Sequence, residues 1–280
     1  MAALTATAAA AIRARLEPIV RRAGDHLLAS FEHLADADVH HKGTVDLVTR
    51  LDIEAQAIVL AGLGAAFPGE AIIAEEDATA THALPDVAWL VDPLDGTTNF
   101  VHGQPPFAVS VARVRHGQLE AGMVYAPYLR EMFFGAAGCG AWLGARRLAV
   151  SRRDVLDDAL YASGFAYDVR TNPHNNLPEW GHFAVRCRGL RRGGAAALDL
   201  AYVAAGRLDG YWEFRLKPWD LAAGALLVLE AGGRVTDPGG GSNWLETGDL
   251  VATNGVLHAR TLAELGAVRT GDGTHHTSRG

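Results

Sequence analysis

Two short apolar runs, each ending in an acidic residue, set the framework of the fold. Residues 71–74 (Ala-Ile-Ile-Ala) precede Glu75, and residues 87–91 (Val-Ala-Trp-Leu-Val) precede Asp92. Apolar runs of this length, bounded by polar residues, predict short buried strands. If the two strands are neighbours, they bring both carboxylates to one edge of a sheet. The sequence therefore predicts an acidic site at the ends of central strands.

The distribution of charge predicts that the ligands include cations. The chain has 25 Lys and Arg against 32 Asp and Glu, a formal net charge of −7. Between Arg50 and Arg113 it has no Lys or Arg, but nine acidic residues. This balance argues against nucleic acid or an anionic membrane as a partner, because both attract basic surfaces. Clustered carboxylates instead suit hard cations such as Mg²⁺ or Mn²⁺.

Length and composition indicate an ordinary globular protein. The 280 residues are 49% hydrophobic and 20% charged, enough for one large domain or two smaller ones. No apolar run approaches the roughly 18–20 residues that span a membrane. The Ala-rich start lacks the basic residues that open a signal peptide, and two cysteines cannot form a disulfide framework. We therefore expect a cytoplasmic protein.

The pattern of predicted elements changes near residues 145–155. Before this point we predict helices over 5–34 and from Arg50, then an antiparallel meander over 107–135. After it, strands and helices alternate. We therefore predict an N-terminal α+β half that carries most metal ligands (1–150), a C-terminal α/β half that completes the substrate and second metal site (151–270) and a flexible tail (271–280).

The strongest local motif is Asp92-Pro-Leu-Asp-Gly-Thr-Thr-Asn99. Pro93 turns the chain out of the strand, and Gly96 allows the backbone to approach a ligand closely. If a helix begins after Asp95, the amides of Gly96 and Thr97 form an anion cradle beside two carboxylates. The alternative is a turn whose Asp and Thr only cap backbone groups. Three further acidic segments favour the ligand site: 44–52, 75–77 and 217–224.

Four segments, in this order, resemble the inositol monophosphatase family of metal-dependent, lithium-sensitive sugar phosphatases. They are Asp46-Leu-Val-Thr-Arg-Leu-Asp52, Ile73-Ala-Glu-Glu76, Trp89-Leu-Val-Asp-Pro-Leu-Asp-Gly-Thr-Thr-Asn-Phe100 and Pro218-Trp-Asp-Leu-Ala-Ala-Gly224. The resemblance extends from about residue 8 to 265. It implies an α/β (α+β) fold, the layered αβαβα sandwich of that family, and a homodimer.

The resemblance also implies a set of site residues. Two Mg²⁺ ions are expected, with a third also considered, Mn²⁺ as a substitute and Li⁺ as an inhibitor. The positions that match metal ligands are Glu75, Asp92, the carbonyl of Leu94, Asp95 and Asp220, with Asp92 bridging. The positions that match catalytic residues are Thr97 and Asp52, which orient the attacking water, and Glu75. The positions that match substrate contacts are Asp95, Gly96, Thr97, Arg191, Gly194, Ala196, Glu213 and Asp220.

The sequence departs from the family pattern at two positions. Ala74 stands where glycine usually precedes the glutamate pair, and Ala195 replaces a common Ser or Thr, which removes a hydroxyl. Two basic residues have two interpretations each. Arg191 is either a substrate contact, sometimes from a partner subunit, or a surface charge. Lys42 is either a loop charge or a helper near a third metal.

These observations predict an Mg²⁺-dependent phosphomonoesterase of small polyol or sugar phosphates, with inositol-1-phosphate as the leading substrate. A water activated by metal would be the nucleophile. Histidinol phosphate, fructose 1,6-bisphosphate and a 3′-phosphoadenosine nucleotide stay open as substrates. A bisphosphate or a nucleotide needs more cationic or aromatic lining on the leaving-group side, where the candidate cations are Arg191, Arg192, Arg215 and Lys217. The alternative of a different class is a regulatory binding protein that retains the fold and the metal.

Overall fold

The computed structural model describes residues 3–31, 39–41, 47–77 and 84–270. Within these ranges the helices are α1 (Ala6–Ser30), α2 (Arg50–Ala66), α3 (Thr97–Val101), α4 (Leu177–Ala184), α5 (Ala196–Ala204), α6 (Pro218–Glu230), α7 (Trp244–Thr247) and α8 (His258–Thr270). The strands are β1 (Val39–His41), β2 (Leu47–Thr49), β3 (Ala71–Ala74), β4 (Val87–Asp95), β5 (Ala108–Arg115), β6 (Gln118–Ala126), β7 (Glu131–Ala136), β8 (Gly140–Leu143), β9 (Arg146–Arg147), β10 (Leu160–Ser163), β11 (Gly189–Arg191), β12 (Gly210–Glu213), β13 (Arg234–Thr236) and β14 (Leu250–Thr253).

The elements stack in five alternating layers. Helices α1 and α2 cover one face of a seven-stranded sheet with the order β3-β4-β5-β6-β7-β8-β9. Helices α5 and α6 lie between this sheet and a five-stranded sheet with the order β11-β10-β12-β14-β13. Helices α4 and α8 pack on the outer face of the second sheet. This arrangement confirms the predicted αβαβα sandwich.

The composition of α6 explains its central position. Its residues from Leu221 to Val228 are all buried, as expected of a helix that is apolar on every side. Gly122 in β6 lets it approach closely, because a Cβ atom there would lie 2.9 Å from the Cα of Ala223. Asp220, in the first turn of α6, thus reaches the ends of the sheet strands.

The predicted acidic strand ends are neighbours in the first sheet. Strands β3 and β4 run parallel, and Ala74 pairs with Val91, so the next residues, Glu75 and Asp92, lie side by side. Strand β4 is longer than predicted, because it continues past Asp92 to Asp95 through an irregularity in its pairing with β5.

Two helix predictions differ from the structure. The first helix ends at Ser30, since Phe31 has an extended backbone, and residues 32–34 lie outside the described ranges. Helix α8 is not predicted, because its buried positions include the polar residues His258, Thr261 and Glu264 and give no apolar helical pattern. No helix in the described ranges is long and apolar enough to cross a membrane. The proposed tail, 271–280, lies outside those ranges.

His258 joins α8 to the second sheet as a neutral imidazole. Its ring is buried, with Nε2 2.9 Å from the hydroxyl of Thr236 and Nδ1 3.0 Å from the hydroxyl of Thr253. The Thr236 hydroxyl donates to the carbonyl of Asp237, so it accepts from Nε2–H, and Nδ1 accepts from Thr253. Burial lowers the pKa of His258 to about 4.

This burial predicts acid sensitivity of the fold. In the unfolded chain His258 has its ordinary pKa near 6.5 and binds a proton below that pH. In the folded chain its pKa is about 4, so it stays neutral until the pH falls to that value. The free energy of unfolding therefore falls as the pH drops from 6.5 toward 4, by about 2 kcal/mol at pH 5. We expect His258→Gln to remove that part of the pH dependence in urea denaturation at pH 7 and pH 5. An equal slope in both proteins would contradict the neutral assignment.

Candidate active site

A cavity of about 310 Å³ opens where the ends of β3, β4, β12 and α6 meet. Ten of the twelve positions predicted for the site line it, and the two exceptions are Asp52 and Arg191. The ten are Glu75, Asp92, Leu94, Asp95, Gly96, Thr97, Gly194, Ala196, Glu213 and Asp220. The fold thus brings together residues that are up to 145 positions apart in the chain.

The motif Asp92–Asn99, which begins in the last residues of β4, supplies the floor of the cavity. Asp92 is 3% exposed, and its carboxylate accepts a hydrogen bond of 2.9 Å from the amide of Leu94. Glu75 lies next to it in the short 3₁₀ helix that follows β3. Gly96 has a φ of 94°, in the left-handed region, and the short helix α3 begins directly after it at Thr97. Glycine is the residue that adopts this backbone conformation without strain.

Asp95 binds the start of helix α5. Its carboxylate accepts hydrogen bonds from the amides of Ala196, Ala197 and Leu198, at 2.9, 2.8 and 3.3 Å. Ala195, the N-cap residue of α5, has no side chain that can cap the helix, so Asp95 provides the cap from 101 residues away. The amide of Ala196, predicted to contact substrate, is therefore occupied by Asp95 in this structure.

Asp52 lies outside the cavity lining and reaches it through Thr97. The amide and hydroxyl of Thr49 both donate to Asp52 Oδ2, at 2.9 and 2.5 Å. This capping interaction starts α2 at Arg50, where the sequence predicts a helix to begin. The other carboxylate oxygen, Oδ1, lies 3.1 Å from the hydroxyl of Thr97, which is also 3.1 Å from the carbonyl of Leu94. The predicted pair of Thr97 and Asp52 is thus in direct contact.

Two acidic residues from the second half of the chain complete the lining. Asp220 accepts a hydrogen bond of 2.7 Å from the amide of Lys217. Glu213, at the end of β12, accepts a hydrogen bond from the buried hydroxyl of Tyr211. Gly164 leaves the space that Glu213 occupies, because a Cβ atom there would lie 2.1 Å from Glu213 Oε2.

Burial and mutual repulsion raise the pKa values of these acids. Burial first, and then the charges of Glu75, Asp95 and Asp220, raise the pKa of Asp92 well above its usual range. Burial raises the pKa of Asp95 to about 7, although the α5 amides oppose it, and that of Asp220 to about 8. Burial likewise raises the pKa of Asp52 to about 6. Acids this close to one another are stabilised in their charged form by a bound cation.

The two neighbouring arginines point to different places. Arg191 is exposed, donates to the carbonyl of Leu190 and lines a separate, apolar groove beside Pro106 and Tyr202. Arg192, also exposed, lines the main cavity. The structure therefore does not bring Arg191 to the site within this chain. Resemblance to the family predicts Arg191 as a substrate contact. Only the backbone geometry of the loop shows that Arg192 lines the cavity instead.

Several cavity residues have no role in the sequence prediction. Trp219 lines the cavity, and its indole N–H is buried without a hydrogen-bond partner among the described residues. Phe165 and the exposed Tyr167 form part of the rim. The sequence gives little indication that these residues line a cavity, because aromatic side chains pack in the hydrophobic core more often than they form a binding site. Lys42, the candidate helper for a third metal, lies outside the described residues.

Comparison with known proteins agrees with this geometry. The sequence profile of the inositol monophosphatase family matches residues 9–270. The chain belongs to the inositol monophosphatase family. The resemblance found in the four motifs is thereby confirmed.

Individual family members are similar over most of the chain. Inositol-1-monophosphatase of Mesorhizobium japonicum is 43% identical over 241 residues, which cover 86% of this chain and 91% of the relative. Nus factor SuhB of Pseudomonas aeruginosa is 45% identical over 240 residues, which cover 84% and 88%. The crystal structure of extragenic suppressor protein suhB of Bartonella henselae has a TM-score of 0.85 at 38% identity, covering 91% of this chain and 98% of that one.

The chemistry of the donor set fits Mg²⁺. The cavity offers oxygen ligands from carboxylates and a backbone carbonyl, which Mg²⁺ prefers. In the described ranges, no three His, Cys, Asp or Glu side chains form a preassembled metal cluster. Binding would therefore draw the carboxylates around the ion, with water in the remaining positions, as is usual for Mg²⁺.

Substitution of the two aspartates of the motif should change the stability of the metal-free protein to different extents. Asp92→Asn removes a buried charge that Glu75, Asp95 and Asp220 repel, so we expect it to raise the free energy of unfolding by about 1 kcal/mol near pH 8. Asp95→Asn also removes a buried charge, but it replaces an oxygen that caps α5 by an amide, so we expect its effect to be less favourable than that of Asp92→Asn by about 1–2 kcal/mol. Urea denaturation with a chelator present measures both variants. Equal effects of the two substitutions would contradict these separate roles.

Proposed function

We propose that this protein is an Mg²⁺-dependent phosphomonoesterase of small polyol or sugar phosphates, with inositol-1-phosphate as the leading substrate. The observation that carries the proposal is the meeting of five acidic side chains with the Gly96–Thr97 backbone in one cavity. Membership of the family supports the reaction class. The name of the Mesorhizobium japonicum relative supports the choice of inositol-1-phosphate. A homodimer stays a prediction.

The metal ligands in this proposal are Glu75, Asp92, the carbonyl of Leu94, Asp95 and Asp220. Bound Mg²⁺ supplies positive charge for the phosphoryl oxygens and lowers the pKa of a bound water. The remaining steps belong to the protein. Asp92 interacts electrostatically with Glu75, Asp95 and Asp220, so it would be the residue that helps to hold both ions.

Asp52 and Thr97 are placed to orient the attacking water. Both hydrogen-bond donors of Thr49 go to Oδ2 of Asp52, so Oδ1 is left to accept from the hydroxyl of Thr97. With its proton directed to Asp52, the Thr97 oxygen presents lone pairs to the cavity and accepts a hydrogen bond from water. Asp52 thus acts as a positioning residue, and Thr97 as the catalytic contact.

The same backbone turn would bind the phosphate. Gly96 has no side chain, and a Cβ atom there would lie 2.9 Å from the carbonyl of Pro106, so the turn is closely packed and fixed. Fixed amides at Gly96 and Thr97 can stabilise the charge that develops on the transferred phosphoryl group. Glu213 and Asp220 then accept hydrogen bonds from hydroxyl groups of the leaving alcohol.

A phosphate-release assay tests the proposed function. Purified protein is incubated with Mg²⁺ or a chelator and with inositol-1-phosphate, histidinol phosphate, fructose 1,6-bisphosphate or a 3′-phosphoadenosine nucleotide. We expect release only with Mg²⁺, fastest from inositol-1-phosphate, and its loss in Asp92→Asn and Asp95→Asn. Normal turnover by either variant would contradict the metal assignment, and no release from any substrate would contradict the phosphatase.

Removal of the Thr97 hydroxyl should slow the chemical step. We expect Thr97→Ala to lower kcat by about 100-fold with little change in KM, because the hydroxyl holds water and not substrate. Thr97→Ser keeps the hydroxyl and is the matched control, expected to keep most of the activity. If kcat of Thr97→Ala equals that of the wild type, Thr97 has no part in the mechanism.

The names of relatives supply a second candidate, a binding function that works beside catalysis or without it. Several relatives at 41–45% identity are named Nus factor SuhB, a name that does not refer to phosphate hydrolysis. A protein that binds Mg²⁺, shown by a rise in Tm, but hydrolyses none of the four substrates would favour this candidate.

A further inference from the structure

The loop that carries Arg192 is fixed from both sides. The side-chain amide of Asn99 donates to the carbonyls of Gly193 and Pro106, at 2.8 and 2.6 Å. On the other side, the buried carboxylate of Asp199 accepts from the amide of Gly193, and a Cβ atom on Gly193 would lie 2.3 Å from Asp199 Oδ1. The direction in which Arg192 leaves the backbone is therefore set by the fold.

The Arg192 side chain lies over Gly194, inside the cavity lining. Gly194 has a φ of 82°, and a Cβ atom there would lie only 2.5 Å from Arg192 Nη1. Within the described ranges, no group hydrogen-bonds or forms an ion pair with this guanidinium. By contrast, Arg215, another cation of the lining, is paired with Asp168. Arg192 thus presents unused hydrogen-bond donors to the cavity.

Glu213 is a hydrogen-bond acceptor in the same cavity lining as Arg192. Its carboxylate is 9% exposed, lines the same cavity and receives one hydrogen bond, from Tyr211. Burial raises the pKa of Glu213, while the charge of Arg192 acts to lower it, so the two charges interact. The two groups form no ion pair within 4.0 Å, so both keep hydrogen-bonding capacity toward the cavity.

We infer that Arg192 and Glu213 together bind hydroxyl groups of the leaving alcohol, and that Arg192 makes the enzyme selective for polyhydroxy phosphate esters. This inference rests on the proposed phosphatase function. A hydroxyl group both accepts and donates, so it can accept from the guanidinium and donate to the carboxylate.

Other leaving groups fit this pair less well. A second anionic group would be attracted by Arg192 but repelled by the nearby carboxylates of Glu213 and Asp199. An apolar leaving group would leave both the guanidinium and Glu213 without partners. Sites with such unused polar groups discriminate strongly against substrates that lack the matching hydroxyl.

The test compares two arginines that are adjacent in sequence and differ in location. Arg192→Met keeps the apolar stem and removes the donors. Arg191→Met makes the same change outside the cavity. Values of kcat and KM are measured with Mg²⁺ for inositol-1-phosphate, fructose 1,6-bisphosphate and phenyl phosphate, whose leaving alcohol has no further hydroxyl. Inhibition by inorganic phosphate reports contact with the phosphate itself.

We expect Arg192→Met to lower kcat/KM for inositol-1-phosphate by about 10- to 100-fold, mainly through KM, because the contact exists before the chemical step. The kcat/KM for phenyl phosphate and the inhibition constant of inorganic phosphate should change less than about threefold. Arg192→Lys, which keeps the charge, should recover part of the loss. Arg191→Met should leave the ratio between the substrates unchanged.

Four results would overturn the inference. An equal loss of kcat/KM for all substrates, together with weaker inhibition by phosphate, would mean that Arg192 contacts the phosphate. A larger loss of kcat/KM for fructose 1,6-bisphosphate would mean that Arg192 selects a second anion. The other two results are no loss of kcat/KM in Arg192→Met and a selective loss in Arg191→Met. Failure of the wild-type protein to hydrolyse any of these substrates would instead contradict the proposed function itself.

Discussion

The bond between the carboxylate of Asp95 and the first amides of α5 connects the parts of the site. Asp95 belongs to the seven-stranded sheet, and α5 lies in the helix layer between the sheets. A negative charge at a helix N-terminus is favourable, so the contact stabilises the position of α5. It also fixes the loop before α5, which carries Arg192 and Gly194. This interaction therefore aligns the acidic motif with the loop that carries Arg192, together with the contacts that Asn99 and Asp199 make at Gly193.

The acidic cavity opposes folding, and local donors offset that cost. Each carboxylate that loses water on burial gains a hydrogen bond from a residue close in sequence or from a helix end: Asp92 from Leu94, Asp220 from Lys217, Asp52 from Thr49 and Asp95 from α5. These bonds do not cancel the cost of burial and the mutual repulsion, as the raised pKa values of Asp92, Asp95 and Asp220 show. The remaining repulsion is what a cation would relieve, so affinity for a metal and instability without it have one origin.

Much of the site could be predicted because its chemistry is local in sequence. The acids at the ends of β3 and β4, the turn at Gly96 and the start of α2 at Arg50 follow from short motifs. The structure adds what depends on distant contacts. Asp95 occupies the amide of Ala196, and α8 buries polar residues that give no apolar pattern. Neither feature has a signal within a few residues of the position concerned.

Short motifs also fail to predict which of Arg191 and Arg192 lines the cavity. The two side chains are chemically identical, and position within the family motif favours Arg191. Their directions depend on Asn99 and Asp199, which hold the loop at Gly193. Members of one family share the fold and the acidic motif but not necessarily the substrate. In our proposal, specificity depends on this loop, which Asn99 holds from 94 positions earlier in the chain, so a motif can identify the reaction class well before it identifies the alcohol that leaves.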